Sequence, residues 1–188
     1  MSKIKFGLSN VHIATFTIGT TGAYTYGTPV KIPGAVSISL EPSGEDTDFY
    51  ADNIKYFSDT QNQGYEGDLE IAMLPDSVRE EVFGETKDKN GALIESASDV
   101  IKPFAIGFQI EGDEKGRKFW YYNCTASRSK NESKTVESSK EIATDSISIK
   151  ALPRETDKKV RVMLTETTAN KDAYEDFFTS VYEEVTEA

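Results

Sequence analysis

Apolar and polar residues alternate over several stretches of this chain, and the alternation predicts a protein built mainly from β-strands. The clearest stretch is 103–111, in which Phe104, Ile106, Phe108 and Ile110 fall on one face. A period of two over this length is typical of a strand that buries one side and belongs to an antiparallel sheet. We therefore predict a half-buried strand here.

Further strands are predicted on either side of this one. The turn GDEKG at 112–116 leads into the ring-rich stretch RKFWYYNCTAS, so residues 103–126 are predicted to form a long hairpin. Shorter alternating stretches lie at 36–40, 68–73, 146–151 and 160–164. The stretch VHIATFTI near the N-terminus is apolar on both faces, which is the pattern of a strand covered on each side.

A short helix is predicted over residues 76–83, beside the sheet. The stretch PDSVREEVFG contains Ser77 and Glu80 at the spacing of a capping box, and Gly84 follows as the stop. A helix of about two turns is too short to be stable alone, so it should pack on the sheet.

A second helix is predicted over residues 171–184, with Asn170 as its N-cap. Its apolar residues recur with a period of 3.6 residues and form one stripe: Tyr174, Phe177, Phe178, Val181, Tyr182 and Val185. Such a stripe can pack on the subunit's own sheet or dock on a neighbouring subunit, and the sequence leaves both possibilities open.

Three long stretches show neither the two-residue period of a strand nor the 3.6-residue period of a helix: residues 41–65, 85–101 and 127–143. The second contains a KNG turn and predicts a small flap, and the third is rich in Ser, Lys and Glu and predicts an exposed loop. Connections this long are uncommon in compact domains unless they have a function. The chain is predicted to be one domain over 1–188, an antiparallel β-sandwich or barrel with a short flanking helix and a helical arm at 168–188.

Composition narrows the possible functions. The chain has 188 residues and a formal net charge of −11, which disfavours binding to nucleic acid or to an anionic membrane, since both need clusters of Lys and Arg. No stretch approaches the ~20 apolar residues of a membrane-spanning helix. Cys124 is the only cysteine and the N-terminal stretch MSKIKFGLSN lacks the apolar segment of a signal peptide, so folding in the cytoplasm is expected.

The residues that usually carry chemistry are scarce. One histidine, His12, and one cysteine cannot build a closed zinc site, and both are expected to be structural. The acidic stretch that begins at Asp46 fails as a calcium loop, because Ala51 stands where glycine is required and Phe57 where the last ligand belongs. We therefore predict no catalytic set, no metal and no cofactor.

An alternative function is an acidic β-sandwich module that binds carbohydrate or another protein. Tyr50, Tyr56 or Trp120 would supply the rings for a sugar contact. A catalytic pair of carboxylates has no usable signature in a chain with 32 acidic residues.

Several long phrases resemble, in the same order, the major tail proteins of long non-contractile-tailed bacteriophages that infect Gram-positive bacteria. The phrases are YGTPVKIPGAVSISLEPSGE, FYADNIKYF, LPDSVREEVFGE, PFAIGFQIEGDEKGRKFWYYNCTAS, TDSISIKALPR and AYEDFFTSVY. The resemblance extends over nearly the whole chain. It implies a β-sandwich or barrel with a flanking helix, six copies of which form a ring, with the rings stacked into a hollow tail tube.

The same resemblance implies the partners and the location. Further copies of the chain would be the main partner, with a tape measure protein inside the tube and tail terminator or distal tail proteins at its ends. DNA would be present only in transit during ejection, and the tube would be part of a virion assembled in the host cytoplasm. An acidic wall suits this task, since it does not bind polyanionic DNA.

Two sets of residues are predicted to serve the tube. The inter-subunit contacts are expected at Asp48, Phe49, Tyr50, Asn53, Ile54, Tyr56, Phe57, Tyr174, Phe177, Phe178 and Val181. The channel wall is expected at Ser37, Ser39, Asp68, Glu70, Ser146 and Ser148. The alternatives are that the rings of 41–65 fold onto the subunit's own core, and that the polar set is an ordinary solvated face.

Overall fold

The computed structural model describes residues 4–112, 115–129 and 143–185, and it confirms a mainly β, antiparallel fold. The strands within these residues are β1 (Lys5–Ile18), β2 (Tyr24–Tyr26), β3 (Val30–Lys31), β4 (Ala35–Ser43), β5 (Asp46–Ala51), β6 (Ile54–Thr60), β7 (Gly64–Ile71), β8 (Thr86–Lys87), β9 (Leu93–Ile94), β10 (Phe104–Gly112), β11 (Arg117–Ala126), β12 (Asp145–Leu152) and β13 (Arg161–Thr165). The helices are α1 (Asp76–Val78), which continues as a π-helical turn (Arg79–Phe83), and α2 (Lys171–Glu175), which continues as a 3-10 turn (Asp176–Phe178). None of these helices is long and apolar enough to cross a membrane.

One antiparallel sheet forms the body of the molecule. Its strand order is β2-β1-β10-β11-β12-β7-β4, with β3 paired to β1 and β13 paired to the first half of β11. The predicted hairpin at 103–126 is present as β10 and β11, and the other predicted strands are present as β4, β7, β12 and β13. Because β1 and β4 come close together, the sheet curls around the apolar side chains that it carries.

The main core lies inside this curl. It contains the alternating apolar residues of the strands, among them Ile13, Leu69, Ile106, Phe108 and Ile147. Helix α1 and its continuation add Val78, Val82 and Phe83 to the same core. The short helix therefore flanks the sheet as predicted, over the predicted residues 76–83.

The start of that helix differs from the prediction. Pro75 occupies the N-cap position and no side chain caps the helix, so the predicted capping box between Ser77 and Glu80 does not form. Ser77 lies inside the first turn and is therefore not at the position from which a side chain can cap. The stop is as predicted, because Gly84 has a left-handed φ of 78°.

Two apolar residues in the alternating stretches 36–40 and 68–73 are exposed. Val36 is 51% exposed because the pairing of β4 with β7 shifts between Ala35 and Ser37, which takes Val36 out of the alternation. Met73 is 76% exposed because β7 ends at Ile71.

A second core lies on the opposite face of β10 and β11. Ala14, Ala105, Trp120 and Tyr122 pack there against apolar residues of the C-terminal segment. Residues 11–16 of β1 therefore lie between the two cores, as the sequence predicted, whereas Ile18 at the end of the same stretch is 51% exposed.

The predicted helix over 171–184 is wrong in length, since helical structure ends at Phe178. Trp120 Nε1 donates to the carbonyl of Phe177 at 2.8 Å, and the Tyr122 hydroxyl donates to the carbonyl of Tyr182 at 2.9 Å. These two bonds tie the backbone at Phe177 and Tyr182 to the strand β11, so the residues after Phe178 follow the sheet. Asn170 is at the N-cap position, but its side-chain oxygen accepts from the Thr167 N–H and does not cap the helix.

Arg154 holds the end of the chain to the sheet. Its guanidinium is 5% exposed, donates to Asp157 and to Glu183 Oε1 at 2.6 Å, and lies 4.4 Å from the ring centroid of Tyr122. Burial opposes ionisation of Asp157, but hydrogen bonds from Arg154 and from the Lys159 backbone outweigh it and hold the pKa of Asp157 below its ordinary value. Asp157 is therefore ionised at neutral pH.

The two remaining irregular stretches have different outcomes. Residues 85–101 contain the small hairpin of β8 and β9, in agreement with the predicted flap. Most of the loop predicted at 127–143 lies outside the residues that the structure describes.

Candidate assembly surfaces

Residues 41–65 form part of one long β-hairpin and not an irregular connection, which corrects the sequence prediction. Pairing of β4 with β7 continues through hydrogen bonds from Gln63 N to the Ser43 carbonyl at 2.9 Å and from Gln61 N to the Glu45 carbonyl at 3.2 Å. It then continues into the β5–β6 hairpin. The sequence pattern missed this hairpin because neither of its faces is buried in the subunit, so its apolar residues need not alternate strictly.

A tight two-residue turn closes the hairpin. Asp52 and Asn53 both have left-handed backbones, with φ of 52° and 62°, and Ala51 pairs with Ile54 on either side of them. Asp and Asn tolerate this conformation better than other residues with side chains, and two-residue hairpin turns require it. The Asp-Asn dipeptide was thus a signal in the sequence from which the hairpin could have been found.

One face of the hairpin is polar and well bonded. Ser58 donates to Asp48 at 2.8 Å, Thr60 donates to Asp46 at 2.7 Å, and Lys55 lies 2.7 Å from Asp48. Hydrogen bonds from Lys55 and Ser58 lower the pKa of Asp48.

The other face of the hairpin is apolar and open. Phe49 and Phe57 are directly opposite each other across the two strands, and they are 58% and 57% exposed. Ile54, next to the turn, is 61% exposed. Tyr50 and Tyr56 are more exposed still, and Tyr50 is opposite Lys55, which bonds to Asp48 of the polar face. The alternative that these rings fold onto the subunit's own core is therefore wrong.

The C-terminal members of the predicted contact set lie in the second core. Tyr174, Phe177 and Val181 are buried against the subunit's own sheet, and the half-buried Phe178 stacks on His12 with ring centroids 4.7 Å apart. Of the two possibilities that the sequence left open, the structure shows the stripe packed on its own sheet. A neighbouring subunit cannot contact Phe177, which is 1% exposed, without displacing this segment.

The predicted channel residues share one exposed face of the strands β4, β7 and β12. Strand register brings them into two rows, which are Ser37–Glu70–Ser146 and Ser39–Asp68–Ser148. Within the rows, Ser37 donates to Glu70 at 2.9 Å and Ser148 donates to Asp68 at 2.6 Å. Hydrogen bonds from Thr144 and then Ser37 lower the pKa of Glu70, so this face is anionic at neutral pH.

The residues considered for chemistry have structural positions. His12 is half-buried, its Nδ1 lies 2.7 Å from the Asn10 carbonyl, and burial lowers its pKa. Cys124 is fully buried, and burial raises the pKa of its thiol to about 12. Trp120 is also fully buried and cannot stack on a sugar. Across residues 4–112, 115–129 and 143–185, no three His, Cys, Asp or Glu side chains are grouped so that they could hold a metal ion.

Comparison with known proteins identifies the family. No curated protein matches the chain. A chain from the cryo-EM structure of the anti-feeding prophage cap, a tube terminating cap, is similar with 14% identity and a TM-score of 0.47, over 84% of this chain and 89% of that one. The model of the family described as phage tail tube protein matches residues 1–186. This match confirms the resemblance seen in the sequence: the chain belongs to the phage tail tube protein family and is a structural protein of the phage tail.

Proposed function

We propose that six copies of this chain form a ring and that stacked rings form the tube through which the phage genome passes into the host. The observation that carries the proposal is the β5–β6 hairpin, whose apolar face has no cover in the single subunit. Apolar patches that stay exposed in a single subunit commonly mark sites of association. A tape measure protein in the lumen and terminator or distal tail proteins at the ends complete the proposed assembly, which forms in the host cytoplasm.

The hairpin is suited to reach a neighbouring subunit. An extended arm from Ser43 to Asp52 spans up to about 30 Å at roughly 3.3 Å per residue. An isolated two-stranded hairpin is marginally stable in water, and a neighbour that covers Phe49 and Phe57 would stabilise this one. Assembly and ordering of the hairpin are therefore coupled.

The face formed by β4, β7 and β12 is proposed as the wall of the channel. Its rows combine small hydroxyl side chains with carboxylates that are already hydrogen-bonded to them. Such a wall repels DNA phosphates and offers them few cations to bind, so the genome can slide past it.

Electron microscopy of the purified protein at rising concentration tests the proposal. We expect hollow tubes of constant bore to form above a threshold concentration. A chain that stays monomeric at every concentration, with its fold intact by circular dichroism, would contradict a tube-forming role.

Reversal of charge on the proposed wall should affect ejection and not assembly. In the variant Asp68→Lys/Glu70→Lys we expect tubes of normal length and bore, because these side chains lie on an exposed face away from the hairpin. DNA ejection from phage that carry the variant should slow, because lysines on the wall would pair with phosphates. The measurement is the ejection rate in a fluorescence assay.

The matched control is Glu80→Lys/Glu81→Lys, which makes the same charge change on the helical segment after α1. An equal slowing in both variants would show that net charge is responsible, and unchanged ejection in the Asp68/Glu70 variant would place the channel wall elsewhere.

A further inference from the structure

Three cations lie together on one end of the sheet, although the chain as a whole is strongly acidic. Lys5 pairs with Gly112, Arg117 pairs with Ile110, and Arg161 pairs with Tyr121, so all three are on neighbouring strands. All three are exposed. Within the part of the chain that the structure describes, none of them has a carboxylate within ion-pair distance. A basic cluster in a chain of net charge −11 is complementary in charge to an acidic surface.

The cluster surrounds an apolar floor. Ile110, Phe119 and Met163 line the same groove as the three cations, and Met163 is 48% exposed. Phe119 belongs to the main core and Ile110 packs against it, so the groove is on the same face of the sheet as that core. Glu111 and Lys115 also line the groove, and Lys115 is paired with Glu166 at 2.7 Å. The groove thus has an apolar centre and a rim with more cations than carboxylates.

The groove lies beside the base of the subunit's own hairpin but does not hold it. Arg161 is 5.1 Å from the ring centroid of Tyr65, which is the second residue of β7 and follows the hairpin directly. The rings of the hairpin remain more than half exposed, so they are not seated in this groove. The groove is therefore available to an element of a second molecule.

We propose that this groove receives the β5–β6 hairpin of a second copy of the chain. The hairpin has the complementary arrangement, since Phe49 and Phe57 form an apolar centre and Asp59, which pairs with Thr47, lies on the same face by alternation. Asp52 adds a carboxylate at the turn. The rings contact Ile110 and Met163, while the carboxylates contact Lys5 and Arg117.

This pairing makes the interface heterologous, because the hairpin and the groove are different surfaces of one subunit. Each copy gives its hairpin to one neighbour and receives a hairpin from another, which is the arrangement that closes a ring or extends a stack. The inference rests on the proposed function and names the receiving surface, which that proposal leaves open.

The test uses two variants that each lack one half of the contact. The groove variant is Lys5→Glu/Arg117→Glu, and the hairpin variant is Phe49→Ser/Phe57→Ser. Neither alone should form tubes at a concentration tenfold above the wild-type threshold. Mixed in equal amounts, they should form a one-to-one complex in analytical ultracentrifugation, because the groove variant keeps an intact hairpin and the hairpin variant keeps an intact groove.

Two controls separate this result from a general effect of charge. Lys89→Glu/Lys102→Glu makes the same charge change at two exposed positions outside the groove and the β5–β6 hairpin and should assemble like the wild type. Adding Asp52→Lys/Asp59→Lys to the groove variant should restore tubes, since the charges on both sides are then exchanged.

The outcomes distinguish this inference from the proposed function. If the groove variant assembles like its control while the hairpin variant does not, the receiving surface is elsewhere and the inference is overturned, but the role of the hairpin stands. If neither variant impairs tubes, both the inference and the role of the hairpin are overturned. If the wild type forms no tubes, the proposed function itself fails.

Discussion

The variant Phe49→Ser/Phe57→Ser should leave the free subunit folded and raise the protein concentration needed for tube formation about a thousandfold. Both rings are more than half exposed in the single subunit, so their removal takes nothing from its core. In the tube each ring would contribute about 2 kcal/mol of burial, and a loss of about 4 kcal/mol per contact corresponds to roughly three powers of ten in affinity. Sedimentation across a concentration series measures the threshold.

A control variant on the polar face of the same hairpin shows whether the apolar face is the one that drives assembly. Thr60→Ala removes a hydrogen bond to Asp46 but leaves both rings in place, so it should shift the threshold by less than about tenfold. If the double variant loses its fold by circular dichroism, or assembles like Thr60→Ala, the rings have another role.

Hydrogen exchange measures independently whether a neighbouring subunit orders the β5–β6 hairpin. The backbone amides of residues 46–60 should exchange rapidly in the free subunit, because a two-stranded hairpin with both faces in water opens easily. In the tube they should be protected. Strong protection already present in the free subunit would show that the hairpin is stable without a neighbour.

Replacement of Arg154 by Met should lower the free energy of unfolding of the subunit by about 3 kcal/mol. Arg154 is almost fully buried, and its removal leaves Asp157 and Glu183 without their shared partner. Breaking a buried ion pair typically costs about 3–5 kcal/mol, and the lower end applies here since both carboxylates are partly exposed. Urea unfolding followed by the fluorescence of Trp120, the only tryptophan, measures the change.

The matched control is Lys150→Met, which removes an ion pair of Lys150 with Glu66 at 3.2 Å in which both side chains are at least half exposed. It should cost less than about 1 kcal/mol. Equal costs in the two variants would show that Arg154 does not hold the C-terminal segment.

The acid dependence of Asp157 gives a second measure of the same cluster. The folded state lowers the pKa of Asp157, so its stabilising effect is present above the ordinary pKa and is lost as the pH falls through the folded value. The difference in stability between the wild type and Asp157→Asn should therefore be largest near pH 6 and shrink below about pH 4. A difference that stays constant between pH 6 and pH 3 would contradict an ionised Asp157 in the cluster.

The strands of the body were predictable because burial of one face imposes a pattern on the sequence. Phe104, Ile106 and Phe108 had to alternate with other residues to reach the core, and Gly84 was needed for a left-handed helix end. The six outward residues proposed for the channel wall could be assigned to strand faces in the same way. That they form two rows across three strands was decided by register, which depends on pairing between segments far apart in the chain.

Other features depend on tertiary contacts that produce no periodic pattern in the sequence. The family, the antiparallel strands and an apolar stripe near the C-terminus could all be predicted from the sequence. The end of the helix at Phe178 could not be predicted, because the bonds from Trp120 and Tyr122 that tie the following segment to the sheet come from a distant strand. The hairpin at residues 46–60 was not predicted either, because it is held by backbone hydrogen bonds between strands and both of its faces are exposed. The same holds for the groove in which Lys5, Arg117 and Arg161 lie together. Lys5 is more than a hundred positions away from Arg117 and Arg161 along the chain, and the three are neighbours only because sheet pairing brings their strands together. A periodic pattern in the sequence does not indicate which strands pair.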